Sequence, residues 1–160
     1  MEWLPFLRWL HILGACVLLG TGAGIAFFMM MAHRSADVGF IAQTARIVVI
    51  ADYVFTASAV ILQPVTGVLL ANMIGWPLSE GWLMLSIVLY CVTGAFWLPV
   101  IWLQQKMQKL AEQAVERGDS ELPPSYHKFY RIWFACGFPA FFSVLVIIWL
   151  MTNRPMFSLW

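Results

Sequence analysis

The chain has 160 residues, 62% of them hydrophobic and only 11% charged, with a formal net charge of +1. A soluble domain carries roughly 25% charged residues, so a water-soluble domain is excluded. With no basic block to track a phosphate backbone, nucleic acid is excluded as a partner. The mean hydropathy of +0.82 and the 16% aromatic content instead fit a protein in contact with a lipid bilayer and its interfaces.

About 20 consecutive apolar residues cross a hydrocarbon core. Four stretches qualify, at 7–32, 47–73, 82–103 and 133–151. None alternates with the period-two pattern of a barrel strand, so each is expected to be a helix. The expected fold is all-α: one integral membrane domain over residues 1–160, a transmembrane four-helix bundle. Leu13-Gly14-Ala15-Cys16 has the form of a lipoprotein cleavage box. The apolar stretch runs on beyond it and no basic region precedes it, so a retained helix is expected. Cys16, Cys91 and Cys136 lie far apart in apolar runs, which suits buried thiols better than a disulfide framework or a zinc site.

Positive charge sets the direction of insertion. Arg34 and Arg46 in the first connection join Lys106, Lys109, Arg117, Lys128 and Arg131 in the third, against Arg8 and Arg154 on the other side. This asymmetry predicts both termini in the periplasm of a bacterial inner (cytoplasmic) membrane. The third connection begins with strong helix formers, so a helix extension is expected over 104–117, exposed to cytoplasmic solvent. Gly118 is positioned to end it, and Ser125, after Pro123-Pro124, to cap the last helix.

Residues three or four apart share a helix face. His11, Ala15, Leu18, Gly22, Met29 and His33 align in the first span, and Asp52, Thr56, Ala59, Gln63, Thr66 and Leu70 in the second. Ser86, Tyr90, Thr93, Gly94, Trp97 and Gln104 align in the third, and Cys136, Ala140, Ser143 and Ile147 in the fourth. Polar groups avoid lipid, so these stripes are expected to meet in the bundle interior. Asp52, Gln63, Thr66 and Trp97 are the candidate polar core. Pro64 should kink the second helix and free a carbonyl about one turn earlier, near Ile61–Val60. Gly20 and Gly24 form a GxxxG on another face, a candidate homodimer seam or a second packing contact.

Ionisable residues inside a span are functional candidates. Asp52 fits either an interfacial ion pair with Arg34, His33 or Arg46, or a proton-relay or cofactor contact. His11 fits either a neutral imidazole bonded to Thr66 or a backbone carbonyl, or an axial haem ligand. The two are expected at opposite depths, which disfavours a Ser-His-Asp arrangement. No Walker or dinucleotide motif occurs.

The strings LRWLHILGA, DYVFTASAVILQPVTG, GAFWLPVIWLQ and FACGFPAFFSVLVIIWLM resemble, over nearly the whole chain, a family of small bacterial integral membrane proteins carrying a domain-of-unknown-function label. A more distant pattern is similar to the HemJ-type protoporphyrinogen oxidases and to CopD-like copper-resistance proteins. Leu10-His11-Ile12 and His33 stand where the HemJ type carries its first-helix histidines. In Gly81-Trp82-Leu83-Met84-Leu85-Ser86, Met84 stands where that family has a histidine and Ser86 where it has a lysine. The resemblance implies haem b, with His11 as axial ligand and Met84 or Met73 as a second, Tyr90 and Trp97 lining the porphyrin, and Arg8 pairing a propionate. Copper handling through His11 and the outer methionines Met73, Met84, Met151 and Met156 is the alternative that the CopD likeness implies. A non-enzymatic bundle that assembles with another membrane protein needs no such chemistry.

Overall fold

The computed structural model describes residues 3–156. Its helices are α1 (Trp3–Ser35), α2 (Val38–Ala51), α3 (Ala57–Ile74), α4 (Gly81–Arg117) and α5 (Pro124–Asn153). A single π-helical turn, Asp52–Thr56, joins α2 to α3, so that Val38–Ile74 is one continuous rod. Four helices are therefore long and apolar enough to cross a membrane: α1, the α2–α3 rod, α4 and α5. Their outward faces carry Phe27, Phe28, Ile47, Ile61, Leu98, Phe142 and Trp149, all exposed. Such a surface is unstable in water and matched to lipid.

Local chemistry sets each helix end. The Ser35 hydroxyl donates to the Ala32 carbonyl at 2.7 Å, and Ala36 turns the chain with φ 56°. The Asp37 carboxylate then accepts from the Phe40 N–H at 2.8 Å and opens α2. The first connection is thus two residues long, and 38–46, expected to belong to a loop, is helical. Gly75 (φ 87°) ends α3 and Gly118 (φ 71°) ends α4, both in the left-handed conformation that glycine adopts without strain. The helix α5 begins two residues earlier than expected. Pro123 occupies the capping position and Pro124 the first turn, where a missing N–H costs nothing, so Ser125 is not the cap.

The molecule has two cores. The larger lies at the end bearing the α1–α2 and α4–α5 connections, the basic end. Here Ile25, Met29 and Ala32 of α1 meet Ile41, Ala42, Ala45 and Val48 of α2, with Leu103, Met107, Ala111 and Ala114 of α4 and Tyr126 and Trp133 of α5. The 37 residues of α4 span about 55 Å at 1.5 Å per residue, well beyond a hydrocarbon core of about 30 Å. Its extension is not a freely solvated rod: Met107 and Ala111 are fully buried, and Ala114 nearly so. The smaller core, at the end bearing the termini, joins Ala71, Trp82, Leu83 and Leu150. The cysteines are not buried: Cys16 and Cys91 are exposed and Cys136 half-buried.

Candidate functional site

Two polar clusters lie at opposite depths, each joining two or more helices. Toward the terminal end, α1 meets α3. The Thr66 hydroxyl sits 2.7 Å from the Leu62 carbonyl and 3.2 Å from that of Gln63, so its single hydrogen is engaged by its own helix. Its oxygen lies 2.7 Å from His11 Nδ1. With that hydrogen on the helix carbonyl, Thr66 accepts from the Nδ1–H tautomer of His11, in which Nε2 keeps a free lone pair, the form in which histidine binds a metal. The Gln63 amide donates to the His11 carbonyl at 2.7 Å. Gly14, buried, leaves room for that amide, and Gly67 lets α3 approach the imidazole edge, with its would-be Cβ 3.4 Å from His11 Cε1.

Between the clusters, the hydroxyl of Tyr90 on α4 donates to the Val60 carbonyl of α3. In an α-helix that carbonyl would accept from the residue four places on, which is Pro64, and proline has no N–H. Tyr90 supplies the missing donor.

Toward the basic end, Asp52 opens the π turn and is 96% buried, with a relative exposure of 4%. The indole N–H of Trp97 donates to Oδ1 at 3.3 Å. The Gln104 amide, oriented to satisfy both neighbours, donates to Oδ2 at 3.0 Å and accepts from the indole N–H of Trp133 at 3.2 Å. None of these partners is a cation, so the expected ion pair with Arg34, His33 or Arg46 is replaced by neutral donors. The Thr56 hydroxyl, one turn on, is buried without a partner.

His33 belongs to a third group. Its ring stacks on Tyr130 with centroids 3.8 Å apart and planes 13° apart, and lies 6.0 Å from Tyr126 and 5.5 Å from His127. Its Nδ1 and the Tyr126 hydroxyl are buried and unpaired.

The stripes read from the sequence largely meet. Asp52, Thr56, Ala59 and Thr66 are buried on the second rod, as are Ser86 and Gln104 on α4 and Ser143 on α5. Met84 is half-buried. It lies about 200° around α4 from Ser86, at about 100° per residue, and so off the buried face that Trp82 and Ser86 share. Arg8 stands three residues before His11, beside a shallow hollow of about 300 Å³ lined by Leu4, Pro5, Trp9 and Ile12. Met73 and Met156 are exposed, and among the described residues no three His, Cys, Asp or Glu side chains cluster as a metal site. Sequence reasoning missed Gly14, the donor role of Trp133, and the stacking of His33 on Tyr130. The only signal for the first was a small residue three positions after His11.

No curated protein and no solved structure matches the chain. The four apolar helices agree with a family whose model matches residues 5–155. The chain belongs to that family, described as Predicted integral membrane protein (DUF2269), and is a multi-pass integral membrane protein.

Proposed function

We propose that this is a haem b-binding redox protein of the bacterial inner membrane, with both termini in the periplasm and His11 as axial ligand. One observation carries the reading: His11 Nδ1 lies 2.7 Å from the Thr66 hydroxyl oxygen, a contact that suits the tautomer with its proton on Nδ1 and its lone pair on Nε2. A ligating histidine typically donates its other ring N–H to an oxygen acceptor, which sets the tautomer and ring orientation. Gly67 lets α3 pack against the ring edge without a side chain in between. Bound haem would supply one-electron chemistry. The protein's part is to hold the ring with its lone pair outward, to offer the Arg8 guanidinium to a propionate, and to surround the group with apolar helix. The direction of insertion is supported by the basic residues of the α1–α2 and α4–α5 end, where seven of the nine Lys and Arg residues fall.

Reduced-minus-oxidised absorption spectra of the protein purified in mild detergent, with metal analysis, test this. Protein expressed with ample haem should show a Soret band and resolved α and β bands, and His11→Ala should lose them while keeping its melting temperature within a few degrees. A flat spectrum and no iron would overturn the reading. Because Met84 lies off the buried face, the proposal rests on His11 alone. A changed spectrum with haem retained in Met84→Ala would restore the methionine as second ligand. Stoichiometric copper without haem would instead favour copper handling.

A second reading has its own observation. A Cβ at Gly20 would meet nothing within 4 Å, and at Gly24 only the ring of Phe28 on the same helix. This helix face is therefore open to a second copy or another membrane protein, as an assembly role requires.

A further inference from the structure

We propose that Asp52 is a reversible proton-binding site inside the bundle, separate from the His11 site and independent of whether haem binds. The hydrogen bonds describe the ionised form. Trp97 Nε1 donates to Oδ1, Gln104 donates to Oδ2, and Trp133 fixes the direction of the Gln104 amide by donating to its oxygen. Every neighbour thus feeds a proton donor toward the carboxylate. Two N–H donors leave about half of a carboxylate's lone-pair positions unused.

Neutral donors solvate an anion without cancelling its charge, and a buried charge with no counter-charge is costly. The surroundings supply none. Arg34, Arg46, Lys106 and Arg131 at this end are all exposed. The core that α1 contributes, Ile25, Met29 and Ala32, is apolar. On α4 the facing groups are Trp97 and Gln104, and on α5 Trp133, none of which titrates. Tyr53, the titratable neighbour on the same turn, is exposed and held by the Gln105 amide. His33 is engaged with Tyr130. A proton is therefore the cation best suited to neutralise Asp52.

The protonated form also has its partner in place. A carboxylic acid needs an acceptor for its own O–H. Thr56, four residues on and therefore on the same face, holds a buried hydroxyl beside the carboxylate with no other partner, able to donate to the anion and, by rotating, to accept from the acid. Gln104 is unsuited to that task, because turning its amide oxygen toward Asp52 would set its NH₂ against the Trp133 indole N–H. The single π turn carries both Asp52 and Thr56, and single π turns occur frequently at functional sites. The exchange is simple: one proton from water joins the carboxylate, and the Thr56 oxygen accepts the new O–H.

An apolar carbodiimide, dicyclohexylcarbodiimide, tests this on the full chain in membranes or mild detergent. The protonated carboxyl adds across one C=N bond, its proton passing to nitrogen with nothing leaving. Peptide mass spectrometry should find the adduct at Asp52, with a rate that falls as pH rises through a single protonation, and no adduct in Asp52→Asn. Gln104→Leu removes a donor to the anion and should raise labelling at neutral pH about tenfold, as expected for a lost hydrogen bond to a charged group. This variant keeps the test open if Asp52→Asn folds poorly. Labelling of Asp52 that is absent or independent of pH would overturn the proposal. So would protection by sodium or potassium ions at constant pH, since that would make the site one for a metal cation.

Discussion

A methyl group at Gly14 would collide with the Gln63 amide, whereas one at Gly20 would meet nothing. Both glycines lie in the interior of α1, so both substitutions gain the same helix propensity, about 0.5–1 kcal/mol. They differ in what they displace. At Gly14 the amide must leave the His11 carbonyl, stranding a half-buried donor between helices at a cost of about 1–3 kcal/mol. Gly14→Ala should therefore lower the melting midpoint in detergent, and Gly20→Ala should hold or raise it. Equal effects would mean that the α1–α3 contact is looser than its hydrogen bonds imply. The same comparison shows what single residues disclosed in sequence. His11 and Thr66 were legible as partners, because polar residues in apolar spans seek each other. Gly14 was not, because a glycine's role depends on the helix placed against it.

The Val60 carbonyl ties the rod to α4: Pro64 of the rod frees it and Tyr90 of α4 satisfies it. Tyr90→Phe should cost about 1 kcal/mol, within the range of interhelical hydrogen bonds in membranes. Pro64→Ala restores an N–H to the same carbonyl, so Tyr90→Phe should cost much less in that background. A double-mutant cycle on melting in detergent reads the difference, and strictly additive effects would show that Tyr90 and Pro64 do not share the carbonyl. At this scale the freed carbonyl was legible, because proline's missing N–H is a fixed property. The helical nature of 38–46 was not. Gln43, Thr44 and Arg46 lower its hydropathy, and a reading by hydropathy ends a span where the bilayer ends, although the helix continues. The π turn was also hidden, since Asp52–Thr56 carries no residue that marks it. Trp97 read as a porphyrin-lining aromatic and Trp133 only as the start of the last span, but their indole N–H groups are spent on the Asp52 network.

At the scale of the whole molecule, the bundle continues past the lipid as a packed cap. The apolar spacing of Met107, Ala111 and Ala114 along α4 puts small side chains on one face, where α2 and α5 close over them. Proteases need a locally unfolded stretch, and such stretches concentrate where backbone is exposed and irregular. Among the described residues of this end, the longest exposed, non-helical segment is 118–121, beside Arg117, against only two residues at Ala36–Asp37. Trypsin added to inside-out vesicles should therefore cut first after Arg117, giving two fragments, and spare Lys106 and Lys109 although both are exposed. Right-side-out vesicles should keep the chain whole: Arg8 is within α1, and the Arg154–Pro155 bond resists trypsin because proline follows the arginine. The two preparations separate two ideas. A ladder of cuts at Lys106 and Lys109 would mean that the cap does not hold the extension. Cleavage after Arg117 from the opposite side would leave the cap intact and reverse the proposed orientation, moving His11 to the cytoplasmic half of the membrane and Asp52 to the periplasmic half.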